Sequence, residues 1–126
     1  MEIGLHGTAT VRVTTQHTAE ALGSGDVPVY ATPSLVALLE TAAVKAVAGR
    51  LQPGETTVGT WIEMTHLAAT PVGMEVRAEA TLIAVEGRRL IFSVVAHDAR
   101  EKVGEGRHHR MIVARDRFLG KVAGKG

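Results

Sequence analysis

One segment constrains the fold more than any other. Residues 32–54, TPSLVALLETAAVKAVAGRLQPG, carry the signals of a helix that is apolar on almost every side. Thr32 can cap this helix and Pro33 suits its first turn, while the run Gln52-Pro53-Gly54 ends it. A helix that is apolar all round has to be buried. We therefore expect a sheet to wrap around it.

The remainder of the chain predicts that sheet. Alternating apolar and polar residues indicate one strand before the helix and four after it, over residues 8–16, 56–69, 74–85, 90–98 and 103–114. Turn signals stand at Pro71–Gly73 and at Glu86-Gly87, and residues 17–31 are typical of a loop. One strand, one long helix and four meandering strands is an α+β pattern with an antiparallel sheet of about five strands.

Composition sets limits on function. A chain of 126 residues predicts a single domain over residues 1–126, in which residues 115–126 form a basic tail. The net charge of +1 gives no reason to expect a nucleic-acid partner. The absence of cysteine excludes disulfides and thiolate metal sites. With no signal peptide and no apolar run as long as a membrane helix, we expect a cytoplasmic protein without a membrane partner.

Two titratable residues occupy unexpected positions. Strict alternation along residues 56–69 places His66 on one face with Ile62 and Met64, and places Gly59 on the other face. Glu40 lies in the middle of the apolar helix, where a carboxylate is costly and often functional. Taken singly, the glutamate could face solvent at a helix edge, and the histidine could be structural. Together they indicate a site in the layer between the helix and the sheet.

The sequence also resembles a known family. The stretches VYATPSLVALLETAAVKA and GTWIEMTHLAATPVGMEVRAEATLIAVEGRRLIFSVVAHD are similar to the hotdog-fold thioesterases of the fluoroacetyl-CoA thioesterase type, and the resemblance covers about residues 17–118. Its most specific parts are T-H-x-A-A-T-P-x-G, the V-E-G-R-R-L hairpin, and a threonine and a glutamate separated by seven residues at the helix start. The resemblance implies the hotdog fold, a homodimer or a multiple of dimers with active sites at the subunit interface, and hydrolysis of an acyl-CoA thioester.

The same resemblance implies roles for five residues. The family's catalytic threonine, glutamate and histidine fall on Thr32, Glu40 and His66. Its oxygen-binding amide falls on Gly59, and the arginine of its hydrogen-bond network falls on Arg110. These roles suit the side chains, since a histidine can move protons near neutral pH and a threonine can donate to a developing negative charge. Glu40 could activate water or attack the carbonyl itself, and the sequence leaves both open. No cofactor or metal is implied.

One loop departs from the family's best-known member. That protein has a phenylalanine-bearing lid before the helix, whereas the matching residues 22–30 here, LGSGDVPVY, contain no phenylalanine. We therefore do not expect specificity for fluoroacetyl-CoA, although we expect the acyl group to be short. Two other functions are compatible with this fold. A non-catalytic acyl-CoA-binding or sensor module would not need the acid and base, and a hydratase would need a histidine with a nearby aspartate and a long overhanging helix.

The remaining clusters are weaker. His108 and His109 are adjacent in a strand, as are His97 and Asp98, so their side chains face opposite sides and do not predict a metal site or an acid–base pair. Arg115, Lys121 and Arg117 could meet the phosphates of CoA or belong to a solvated basic tail.

Overall fold

The computed structural model describes residues 1–126 as one antiparallel sheet with one long helix against it. It confirms the α+β prediction. The elements in chain order are β1 (His6–Arg12), a short 3-10 turn (Thr15–His17), α1 (Ala19–Leu22), α2 (Thr32–Ala46), β2 (Glu55–His66), β3 (Glu75–Glu86), β4 (Arg89–His97), β5 (Lys102–Ala114) and α3 (Arg115–Ala123).

The strand order is β1-β3-β4-β5-β2, with every pair antiparallel. Only β3, β4 and β5 follow one another as a meander. The prediction of four meandering strands was wrong for β2, because α2 crosses one face of the sheet and β2 then forms the far edge. The turn around Pro71–Gly73 therefore carries the chain from that edge back across to β3 instead of closing a hairpin.

The core lies between α2 and the inner face of β3 and β4. Buried side chains alternate with exposed or half-buried ones along most of both strands, as expected for a sheet with one covered face. The buried residues of this layer are Leu35, Leu38, Leu39, Ala42, Ala43 and Ala46 on α2, Val76, Ala78, Ala80 and Leu82 on β3, and Leu90, Phe92, Val94 and Ala96 on β4.

Helix α2 differs from the prediction in three ways. It ends at Ala46 and not at Gln52. Its N-cap is Ala31, so Thr32 is the first helical residue and makes no capping hydrogen bond. It is also not covered on all sides, since Val44 is 45% exposed and Lys45 faces solvent.

Two further segments contain helix that periodicity missed. The predicted loop contains α1, and the predicted basic tail forms α3, whose Phe118 lines a cavity with Ile112. None of the helices has the length and hydropathy needed to span a membrane.

A β-bulge in β2 changes which residues face α2. Gly59 pairs with Arg110 of β5 while Trp61 pairs with His109, so Thr60 is the extra residue. The extra residue reverses the alternation, and Gly59 therefore lies on the same face as His66. The prediction that these two residues face opposite sides was wrong. Trp61 stays on the outer face, where its ring lies 4.4 Å from that of His109.

Candidate active site

Thr32 and His66 form the first part of the site. Thr32 begins α2 and His66 ends β2, and the Thr32 Oγ1 atom lies 2.8 Å from the His66 Nδ1 atom. The hydroxyl is available for this bond because Thr32 does not cap its helix. The other ring nitrogen, Nε2 of His66, is buried and has no hydrogen-bond partner within the chain. The imidazole therefore offers one nitrogen for chemistry while the other is held.

The surroundings of His66 favour its neutral form. Burial lowers the pKa of His66 below its ordinary value of 6.5. The nearby backbone of Ala68 opposes this shift in part. At neutral pH the ring is thus uncharged and able to accept a proton.

A cavity of about 360 Å³ adjoins this pair, and its walls come from two segments. The segment before α2 is tied to the segment after β2 by a hydrogen bond from the Tyr30 amide to the Thr70 carbonyl, 2.9 Å long. The Tyr30 hydroxyl donates to the Ser34 carbonyl, and burial raises the pKa of Tyr30 to about 12, so the phenol stays protonated. The lining residues are Val29, Tyr30, Thr32, His66, Leu67, Ala68 and Ala69.

Glu40 and Arg110 form the second part of the site. Arg110 Nη1 lies 3.5 Å from Glu40 Oε2. Arg110 is only 7% exposed, and burial lowers its pKa while Glu40 raises it. The guanidinium is fixed by bonds from Nε to Thr57 Oγ1 at 2.9 Å and from Nη2 to the Thr57 carbonyl at 3.1 Å. The Glu40 side chain is 39% exposed, so the expected site between helix and sheet is open to solvent on this side.

Gly59 allows β2 to approach Glu40. A Cβ atom at Gly59 would lie 2.6 Å from Glu40 Oε2 and 3.2 Å from Arg110 Nη1. Any side chain there would displace the carboxylate, so the bulge leaves bare backbone beside Glu40.

The five residues named from the sequence therefore form two groups within one chain. Thr32 contacts His66, and Glu40 contacts Arg110 beside Gly59. Thr32 and Glu40 are eight residues apart on α2, which separates them by about 12 Å along the helix axis. One chain alone does not bring the threonine–histidine pair to the carboxylate.

The sequence analysis missed His108, which it treated only as half of an adjacent histidine pair. The residue is 1% exposed and its ring lies between Phe92 and Arg110. The available signal was its spacing of two residues from Arg110, which places both on one face of β5. The structure contains no group of three or more His, Asp or Glu side chains placed to hold a metal ion.

The fold and the site define a class of protein, the hotdog-fold thioesterases. The similarity of this chain to known proteins supports the same class. A sequence model of the family described as "Fluoroacetyl-CoA-specific thioesterase" matches residues 13–116. The chain belongs to this family. The fluoroacetyl-CoA thioesterase of Streptantibioticus cattleyicolor is 46% identical over 97 residues, which are 77% of this chain and 70% of that protein.

Solved structures agree with the family assignment. A crystal structure of the fluoroacetyl-CoA thioesterase FlK superposes with a TM-score of 0.93 at 39% identity, over 100% of this chain and 98% of that one. A thioesterase superfamily member from Thermus thermophilus has a TM-score of 0.90 at 30% identity, over 97% of this chain and 90% of that one. The predictions of a hotdog fold and of acyl-CoA thioesterase activity are confirmed.

Proposed function

We propose that this thioesterase hydrolyses a short acyl-CoA to the free acid and CoA, using Thr32, Glu40 and His66 as catalytic residues and Gly59 and Arg110 around the substrate. The observation that carries the proposal is the 2.8 Å contact between Thr32 and His66 beside a cavity, with His66 Nε2 buried and unpartnered. A histidine held through one nitrogen and bare at the other suits a general base.

Proton transfer follows from the tautomer of His66. When Nδ1–H donates to Thr32 Oγ1, the Nε2 atom is free to take a proton from water and return it to the leaving thiolate. The hydroxyl proton of Thr32 is then free to donate to the thioester oxygen, where negative charge develops in the transition state. The backbone amide at Gly59 is a second donor to that oxygen, because no side chain there prevents a close approach.

Glu40 supplies the carboxylate. Arg110 Nη1 lies 3.5 Å from its Oε2 atom, and the carboxylate either activates water or attacks the thioester carbonyl to give an anhydride.

The division of the site into two groups supports a homodimer with shared active sites. Strand β2 is an edge strand of 12 residues, and its polar backbone along that edge is unpaired within the chain. Antiparallel pairing of two β2 strands about a two-fold axis brings the Gly59 half of one strand beside the His66 half of the other. The Glu40 of one copy then approaches the Thr32–His66 pair of its partner.

The substrate class rests on the relatives and on the loop before α2. A variant of FlK has been crystallised with fluoroacetate and CoA, which supports a CoA thioester here. The loop at residues 22–30 contains no phenylalanine, and the cavity beside His66 is lined by Val29 and the small Ala68 and Ala69. These features favour a short acyl group without selectivity for fluoroacetyl. We place the reaction in the cytoplasm, where CoA thioesters are used.

The test is thiol release from acyl-CoAs of increasing chain length, with fluoroacetyl-CoA included, for the parent and three variants. We expect His66→Ala to lower kcat by about 10²–10⁴-fold and Glu40→Gln by about 10²-fold, with little change in KM. Thr32→Val should lower kcat by about 10–10²-fold through the lost hydrogen bond.

The pH profile separates a base from a packing residue. The parent kcat/KM should rise with pH along a limb below 6.5, because His66 has to be neutral to act and burial lowers its pKa. That limb should be missing in His66→Ala. Coincident profiles for the two proteins would remove His66 from the mechanism, and acyl-CoA binding without thiol release would favour a binding module.

A further inference from the structure

His108 is the most completely fixed imidazole in the protein. Its Nδ1 atom lies 2.9 Å from the Trp61 carbonyl oxygen, and its Nε2 atom lies 3.2 Å from Arg110 Nη1. Its ring stacks on Phe92, with centroids 6.3 Å apart and planes 30° from parallel. Three contacts on three sides leave it a single orientation.

These contacts decide its protonation. A guanidinium has only donors, so His108 Nε2 must accept from Arg110. The ring proton is then on Nδ1 and is donated to Trp61. A charged His108 would have no lone pair for Arg110, and burial together with the charge of Arg110 lowers the pKa of His108. The 4.0 Å approach of Nε2 to Glu40 is consequently no ion pair.

The same atom of Arg110 connects His108 to Glu40. Nη1 has two hydrogens, and its two neighbours are His108 Nε2 at 3.2 Å and Glu40 Oε2 at 3.5 Å. Thr57 holds the other two nitrogens of the guanidinium. His108 therefore fixes the one corner of Arg110 that meets the carboxylate.

We propose that His108 is a positioning residue for catalysis, which acts by holding the Arg110 guanidinium against Glu40. The proposal rests on the catalytic role of Glu40 proposed above. His108 does not touch the substrate. Its effect passes through Arg110, so its loss should appear in kcat more than in KM.

Two substitutions separate this role from simple packing. In His108→Gln the amide oxygen can occupy the place of Nε2 and accept from Arg110. In His108→Asn the shorter amide occupies the place of Nδ1 near Trp61 and does not reach Arg110. We expect kcat to stay within about 3-fold of the parent for the glutamine variant and to fall about 10-fold or more for the asparagine variant, since small misplacements of a reacting group are costly. KM should change less than about 2-fold in both.

A double-mutant cycle tests the route through Glu40. In the Glu40→Gln background, His108→Asn should have no further effect on kcat, because the carboxylate that it positions is gone. His97→Asn is the matched control, since His97 is a histidine exposed to solvent at the end of β4. It should keep the parental kcat. Circular dichroism gives the folded fraction to which each kcat is referred, and His108→Leu replaces the asparagine variant if that variant does not fold.

Several results would overturn the proposal, two of them through the His108 variants. One is an equal loss of kcat in the glutamine and asparagine variants, and the other is the same loss from His108→Asn whether or not Glu40 is present. If Glu40→Gln alone leaves kcat unchanged, Glu40 is not catalytic. The positioning role of His108 is then rejected as well, because it depends on Glu40. A result in which Glu40 matters and His108 does not would reject the positioning role alone.

Discussion

At the scale of single residues, His66 and His108 are neutral for the same physical reason and serve different ends. Burial is the largest cause of the lowered pKa of each ring. His66 has a buried Nε2 atom without a hydrogen-bond partner, whereas His108 has both nitrogens bonded. A buried imidazole with a free nitrogen can move protons, and one with none can only hold its neighbours.

Both histidines should make the protein less stable in mild acid. Their pKa values in the folded state lie below the ordinary 6.5, so as pH falls below 6.5 the unfolded chain binds protons first. The free energy of unfolding should therefore decrease from about pH 6.5 towards pH 5, above the range in which most carboxylates titrate. Urea unfolding at several pH values measures this decrease. It should be smaller in His108→Gln than in the parent, and equal slopes would contradict this account.

At the scale of elements, the β-bulge in β2 shapes the part of the site that contains Glu40, because it places Gly59 directly beside the carboxylate. Gly59→Ala would place a methyl group 2.6 Å from Glu40 Oε2 and force the carboxylate away from Arg110. We expect kcat to fall by about 10–10²-fold, the scale of a misplaced catalytic group. The free energy of unfolding should fall by about 1 kcal/mol or less, since the displaced atom is the end of a partly exposed side chain.

Gly120→Ala in α3 is the control for that substitution. A Cβ at Gly120 would meet no atom within 4 Å, and alanine favours a helix over glycine by about 1 kcal/mol. It should leave kcat unchanged and raise stability slightly. Parental kcat in Gly59→Ala would show that the close approach of β2 to Glu40 has no catalytic importance.

The elements differ in how far the sequence determines them. Alternation and end signals are local, so they predicted β2, β3, β4 and β5 to within three residues, whereas the predicted first strand ran four residues past Arg12 and α2 ends six residues before Gln52. The bulge at Thr60 is set by pairing with β5, and the position of β2 at the far edge is set by the path of α2 across the sheet. Both depend on contacts distant in sequence. Strict alternation consequently put Gly59 on the wrong face, and Thr32 was assigned to a cap that Ala31 provides.

In the site, too, the sequence indicated the residues but not how distant contacts arrange them. The family resemblance named Thr32, Glu40, His66, Gly59 and Arg110, but spacing along one chain could not reveal that they lie in two groups. His108 was missed because its neighbour His109 has the same side chain, and the packing of the His108 ring beside Phe92 and Arg110 shows which of the two is buried.

At the scale of the whole molecule, the two half-sites predict that active protein is at least dimeric. Light scattering at micromolar concentration should give at least twice the monomer mass of 13.3 kDa. The unpaired edge of β2 and the exposed Trp61 are the physical reason. A fully active species with the monomer mass would reject this prediction.

Mixed dimers test whether the site is shared. His66→Ala and Glu40→Gln are each expected to be nearly inactive, but in a dimer of one with the other, a shared arrangement leaves one site with both residues intact. Refolding equal amounts together should restore about a quarter of parental activity, since half of the dimers are mixed and each has one intact site of two. No recovery, in a sample shown to contain mixed dimers, would place both residues in one subunit's site.

Because Thr32 and Glu40 are eight residues apart on α2, the helix sets both the distance between them and the relative directions of their side chains. Each helical residue advances the chain by about 1.5 Å and turns it by about 100°. A single insertion between these two residues would leave both present in the sequence yet point the carboxylate away from Arg110 and the bulge. A point substitution at the exposed Ala37, inside this interval, changes no such measure. Relatives of this enzyme are therefore free to vary the exposed residues of the interval but not its length, and their permitted insertions belong in turns such as the one between β4 and β5.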